Sequence, residues 1–422
     1  MKKKYLLLAL MIMYCVTIVA QNNYDFSYSY DGGSELYYKI TSDVEPFTVK
    51  VTYQYFSDKN NYSYITDIEI PESITRNGKT YAVTEIGAYA FCMSKNLTSV
   101  ILPNTVTSIG TNAFVGCFAL KTINIPESVE SFGLNAFSNC SMLSSVTIPD
   151  LVTVLNNGVF NGCRSLTAID IPESVTKIGE FVFADCESLT SIVIPNTVTE
   201  IGWEAFARCS KLKSITLPNP KISLNKDAFN DCDNIETIIF NTDSVGTLFS
   251  GRTSIKNVTI GDSVTSIVDK AFSGCSGLET IIISDFVKSI GEESFSDCSS
   301  LVSIIIPKSV KEIGDKAFSN CSSLSSIVIP DSVESINYYT FSDCSKLTTV
   351  TIPESVKEID AGAFFGCVKL SSINIPDSIS FIGNCAFYNC VSLDSISIPQ
   401  SITSIDNSVF NGCSGLKSII IP

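Results

Sequence analysis

The 422-residue chain contains no histidine and a single tryptophan. Without imidazole, neither a Ser-His-Asp nor a Cys-His relay can be assembled, and no metal can be held by His ligands. Acid–base chemistry near neutral pH would fall to perturbed carboxylates, lysines or thiols. No Cys-x-x-Cys pair occurs, so the usual start of a structural zinc site is missing. Positive charge is scarce: 28 Lys and Arg stand against 43 Asp and Glu, a net charge of −15 at pH 7. Such a chain is repelled by nucleic acid and by anionic lipid surfaces. Beyond residue 20 no apolar run is long enough to span a bilayer.

What is present begins with a distinct leader. Lys2, Lys3 and Lys4 precede an apolar stretch from Leu6 to Val19, and the small Ala20 stands before Gln21. This reads as a secretory signal peptide over residues 1–20, and therefore as a secreted or cell-surface protein. Cys15 raises a lipoprotein site, but Tyr14 before it is bulky where such sites want a small residue. Removal of the leader leaves 25 basic and 43 acidic side chains, a net of −18.

Self-similarity dominates the remainder. From residue 83 the chain follows the pattern IPxSVTxIGxxAFxxCxxLxxIx, marked by Phe91, Phe114, Phe137, Phe160, Phe183, Phe206, Phe229, Phe249, Phe272, Phe295, Phe318, Phe341, Phe364, Phe387 and Phe410. Each gap is 23 residues except the 20 between Phe229 and Phe249. Leu189 to Ile194 is short and β-branched and predicts a strand, ended by Pro195, which cannot donate a ladder bond. Val198 and Ile201 turn inward. The position of Gly202 holds Gly eight times and otherwise mostly Asn or Asp, which predicts a left-handed residue there. Glu204 to Cys209 predicts a short helical turn. No such coil buries its own apolar face, and stacking buries it between neighbours. The expectation is a repeat solenoid, β-rich with short helical turns: a right-handed array of about 15 coils of 23 residues carrying a parallel sheet, roughly 65–70 Å long at the strand spacing.

Residues 21–82 lack the repeat and are rich in tyrosine. They read as an N-terminal β-hairpin cap with an irregular first coil, or as an aromatic ligand platform. Residues 83–422 form the array, with a short coil at 241–260 where Arg252 replaces a column cysteine. That coil reads as a decayed repeat, a bend or a local notch. The C-terminal coil looks uncapped, which points to self-association there.

Thirteen cysteines share one column: Cys117, Cys140, Cys163, Cys186, Cys209, Cys232, Cys275, Cys298, Cys321, Cys344, Cys367, Cys390 and Cys413. Fifteen remain after removal of the leader, an odd number that cannot pair fully within one chain. Stacked side chains point into the core rather than at one another. The column therefore reads as a wall of buried free thiols, with scattered disulfides, a metal or catalysis as the competing readings. The Phe column reads as a packing spine.

The outward strand positions form two rows. One is nearly all Ser or Thr, as at Ser191 and Thr280. The other varies, and Ile239, Ile282, Ile305 and Val328 make it apolar. An exposed apolar stripe beside hydroxyls is a candidate ligand-binding face; ordinary β-propensity on a partly covered sheet is the alternative. No catalytic residues and no cofactor are expected, since the carboxylates lie scattered at turns.

The repeated LxxIxIPxSVxxIGxxAFxxC resembles the BspA-like subfamily of leucine-rich repeat proteins over about residues 65–422, about 85% of the chain. Where many leucine-rich repeats carry Asn after the strand, this chain has Ser174, Thr197 and Ser309, whose hydroxyls are expected to bond the next coil's backbone. The resemblance implies a non-enzymatic surface or secreted protein of host-associated bacteria or protists. It also implies adhesion to matrix proteins such as fibronectin and fibrinogen. A glycan-binding surface protein and a self-assembling scaffold are the alternatives. The family supplies no catalytic residues to transfer.

Overall fold

The computed structural model describes residues 23–30, 34–54, 62, 64–217 and 221–421. The expected signal peptide lies outside the described residues. The chain divides into two compact units: residues 1–212 with 223–232, and residues 213–222 with 233–422.

The first unit opens with a sheet. Strands β1 (Phe26–Tyr30) and β2 (Ser34–Ser42) form an antiparallel hairpin, and β3 (Thr48–Thr52) pairs antiparallel with β2. After β4 (Asp67–Glu69), strands β5 (Ser73–Arg76) and β6 (Lys79–Ile86) make a second hairpin. Asn77 and Gly78 join them with positive φ at both positions, the turn that suits the twist of a hairpin. Strand β6 then pairs parallel with Ser108–Ile109, so the cap runs directly into the repeat. Tyr62 is fully buried and lies 4.9 Å from Phe91, extending the phenylalanine column into the cap. Its hydroxyl donates to Thr52 O (2.7 Å) and accepts Tyr37 N–H (3.0 Å). Tyr37, Tyr38 and Tyr81 are buried with it, so much of the tyrosine cluster serves as packing.

Each coil that follows has three sides. The first carries short parallel strands, as where β4, Ser99–Ile101 and Thr122–Asn124 pair in register. The second carries two-residue strands such as Lys177–Ile178 beside Glu200–Ile201. Between them the proline corner closes on a turn, Val106 N–H to Pro103 O at 3.1 Å. Its hydroxyl reaches the coil before it rather than the one after: Ser174 Oγ bonds Val152 O (2.7 Å) and Thr197 Oγ1 bonds Val175 O (2.8 Å). In the second unit Ser309 does the same to Val287 O (2.6 Å).

The third side corrects the expected helical turn. Its N–H groups alternate between two partners. Ala113, Val115 and Cys117 bond three residues back within the coil, to Gly110, Asn112 and Phe114. Asn112, Phe114 and Gly116 bond onward to Leu134, Ala136 and Ser138 of the next coil at 2.8 Å. A helix would spend every amide internally and leave none for stacking. The alternation requires left-handed residues at Asn112 (φ 55°) and Gly116 (φ 70°). Among the described residues the one helical element is a 3-10 turn, Thr247–Phe249.

The left-handed positions therefore lie two and six residues after the glycine corner, and not at the corner itself. Gly202 and its equivalents are needed for a different reason. A Cβ at Gly202 would sit 2.7 Å from Glu180 N, and one at Gly133 would sit 2.2 Å from Thr111 N. In these glycine coils the preceding coil approaches too closely for a side chain. Where Asn156 stands at the corner, its Nδ2 bonds Phe132 O (2.7 Å), the carbonyl that a glycine N–H reaches in other coils.

The second unit repeats this plan. Ser214–Leu217, Thr237–Phe240, Asn257–Ile260 and Thr280–Ile283 form a parallel sheet in register. In the short coil, Thr237 and Ser244 open its two strands 7 residues apart, where Thr280 and Ser289 are 9 apart. The loss falls largely on the proline corner. Phe249 stays fully buried, and the Arg252 guanidinium carbon lies 5.7 Å from its ring centroid. The column phenylalanine thus stays in the core while the corner is trimmed.

Candidate functional site

Three features carry chemistry-bearing side chains: the cysteine column, the outward strand row and the corner grooves.

The thirteen column cysteines form no disulfide, and all are buried except the half-buried Cys413. Each of the thirteen donates its S–H to a phenylalanine carbonyl of the preceding coil, from Cys117 to Phe91 O (3.1 Å) through Cys413 to Phe387 O (3.0 Å). The same carbonyl already accepts an amide of its own coil, as Phe114 O accepts Cys117 N–H and Cys140 Sγ–H. Cysteine is small enough for the wall and still supplies a weak donor where a carbonyl has a second lone pair. Burial pushes the thiols up, Cys275 to about 11 and Cys163 to about 12. At neutral pH they hold their protons, which suppresses both nucleophilicity and metal binding. Among the described residues no group of three or more His, Cys, Asp or Glu is placed to hold a metal ion.

On the outward row of the second unit, Ile282, Ile305 and Val328 occupy the same position in successive coils and are 64%, 85% and 63% exposed. Phe286 and Val302 are exposed beside them in sequence. Ile239, on the same row, is half-exposed, with Thr216 and Thr259 pairing on either side of it in the sheet. The exposed apolar row is therefore three residues long.

Sequence reasoning missed the groove in the first unit. It holds about 550 Å³ along the glycine corner and is lined by Lys177, Glu180, Glu200, Trp203, Asn225 and Lys226 among others. Trp203, the one tryptophan of the chain, is 41% exposed there. Phe181 packs edge-on against it with centroids 4.8 Å apart, and its Nε1–H donates to Asp227 Oδ2 at 3.2 Å. Lys177 Nζ pairs with Glu200 Oε1 at 2.9 Å. The equivalent corner of the second unit holds about 520 Å³ and presents Asp269, Glu292, Glu312 and Asp315.

Among the described residues no helix is long and apolar enough to cross a membrane. The BspA type leucine-rich repeat region, in 6 copies, matches residues 61–189, 176–248, 246–348 and 334–422. A leucine-rich repeat protein of Bacteroides ovatus is 28% identical, with 94% of each chain covered and a TM-score of 0.53. A leucine rich cell surface protein of Faecalibacterium prausnitzii is 27% identical over 94% of this chain and 95% of its own, with a TM-score of 0.33. The pneumococcal vaccine antigen PcpA is 17% identical over 94% of this chain and 99% of its own, with a TM-score of 0.39. No curated protein matches the chain. The repeat that covers nearly the whole array, its parallel coils and its cysteine and phenylalanine columns agree: the chain belongs to the BspA-type leucine-rich repeat family.

Proposed function

We propose that this is a cell-surface or secreted binding protein that adheres to extracellular matrix proteins of the fibronectin or fibrinogen kind. The observation that carries the reading is the exposed row Ile282, Ile305 and Val328. Three large aliphatic side chains in water on successive coils contribute little to folding. Contiguous exposed apolar surface of this kind is common where another protein docks. Hydroxyl-bearing neighbours such as Thr280, Ser303 and Ser326 supply a polar rim. The inert thiols and the lack of histidine favour binding over catalysis.

A photo-reactive residue at position 305 tests this, with one at Asn124 on the corresponding row of the first unit as control. Cross-linking to purified fibronectin or fibrinogen from position 305 and not from 124 supports the reading. Equal yields from both positions, or none, overturn it.

A further inference from the structure

We infer that the corner groove of the first unit binds a neutral carbohydrate, with the Trp203 indole as the platform for one sugar ring. The inference is independent of the sheet-face reading, since every residue it uses lies in the other unit.

Four observations carry it. First, the indole is fixed before any ligand arrives. Phe181 packs against it with centroids 4.8 Å apart and ring planes at 76°, and Asp227 holds its Nε1–H. A ring locked from two sides, with two-fifths of its surface in water, loses little conformational freedom on binding. Second, the groove is large enough for a small ligand, at about 550 Å³ against the usual 300–1,000 Å³. Third, its formal charges nearly balance: Glu180 and Glu200 stand against Lys177 and Lys226, and a further carboxylate, Asp227, is engaged by the indole N–H. So nearly balanced a site offers no strong Coulombic pull to a nucleotide, a polybasic peptide or an acidic one. Fourth, uncommitted polar groups remain. Among the described residues the Glu180 carboxylate and Lys226 ammonium have no ion-pair partner. Asn225 accepts Asp227 N–H through Oδ1 (2.9 Å) and keeps its amide donors, and Ser223 adds a hydroxyl.

A neutral ligand that offers an apolar face to an indole and many hydroxyls to carboxylate, amide and ammonium groups is a sugar. Its axial C–H groups meet the ring face while its hydroxyls bridge to Glu180, Asn225 and Lys226. The second unit's groove makes the contrast. It carries four carboxylates and no aromatic platform among its lining residues, so the same corner there lacks both features.

The lone tryptophan makes the test direct, since all indole emission comes from position 203. The full chain is titrated with neutral trisaccharides of glucose, mannose, xylose and N-acetylglucosamine, and with trigalacturonate as the anionic control. The expected result is a saturable emission shift with at least one neutral trisaccharide. Calorimetry on Trp203→Ala then shows affinity reduced about tenfold or more, with an unchanged melting temperature. Trp203→Phe keeps a stacking face and retains part of the affinity. Ile282→Ser/Ile305→Ser/Val328→Ser binds the sugar as the wild type does, which separates this site from the sheet face. No saturable shift with any neutral sugar, preference for trigalacturonate, or full affinity in Trp203→Ala each overturns the inference.

Discussion

The corner groove of the first unit and its counterpart in the second share a backbone and differ in nearly everything a ligand meets. The positions just after the corner read Asn157, Glu180, Trp203 and Lys226 in one, and Asp269, Glu292 and Asp315 in the other. The interiors do the opposite. Phenylalanine rings stack at 5.0–5.7 Å in the first unit from Phe91 to Phe229, and at 5.4–5.8 Å in the second from Phe272 to Phe410. The difference teaches where constraint lies. A residue that touches the coil before and the coil after must fit both, so the columns admit one solution. A residue facing water meets no such condition and is free to specialise.

If stability resides in the shared columns, the two units must respond alike when the columns are attacked. Alkali attacks all the thiols together. Burial raises their folded pKa values above the ordinary 9.0, so the native state retains protons that the unfolded chain releases. The stabilisation is complete below pH 9 and is lost as pH rises through the folded values, about 11 for Cys275 and about 12 for Cys163. Each such thiol removes about 1.4 kcal/mol per pH unit while it titrates. Denaturation at fixed pH steps under reducing conditions should therefore show a steep fall above pH 9 and none from the thiols between 6 and 8.

Single-site attack on the spine is the next largest effect. Phe183→Ala and Phe318→Ala each leave a cavity in a fully buried column and should cost about 3–5 kcal/mol in urea denaturation, with similar values in the two units. A large disparity would break the equivalence. Cys186→Ala and Cys321→Ala lose a small buried group and the weak bonds to Phe160 O and Phe295 O, and should cost about 1–2 kcal/mol each. The smallest effect belongs to the groove. Lys177→Met breaks an exposed ion pair with Glu200 and should shift stability by less than about 1 kcal/mol.

Much of this was legible in the sequence because the coil is regular. A 23-residue period places Phe91 over Phe114 and Cys117 over Cys140 without any knowledge of the backbone. The second use of each cysteine was not legible. It depends on a carbonyl 26 residues back having a spare lone pair, and spacing does not report lone pairs. The left-handed positions were hidden for a different reason. Phe181, Glu204, Arg208 and Lys270 all adopt positive φ, yet none is a residue type that advertises it. The stack imposes the conformation because alternate amides must point to the next coil. The groove was missed because its partners lie off the period: Phe181 is 22 residues before Trp203, and Asp227 is 24 after it. A reading by columns never sets them side by side.

If the inner columns provide stability and the outer row provides recognition, as proposed, one paired experiment separates them. Surface plasmon resonance on immobilised fibronectin and fibrinogen, run with wild type and with Ile282→Ser/Ile305→Ser/Val328→Ser, is combined with a melting curve of each. The prediction is saturable binding by the wild type, a loss of about tenfold or more in the variant, and melting temperatures that agree. Binding that survives the three substitutions, or a variant that melts well below the wild type, would contradict it.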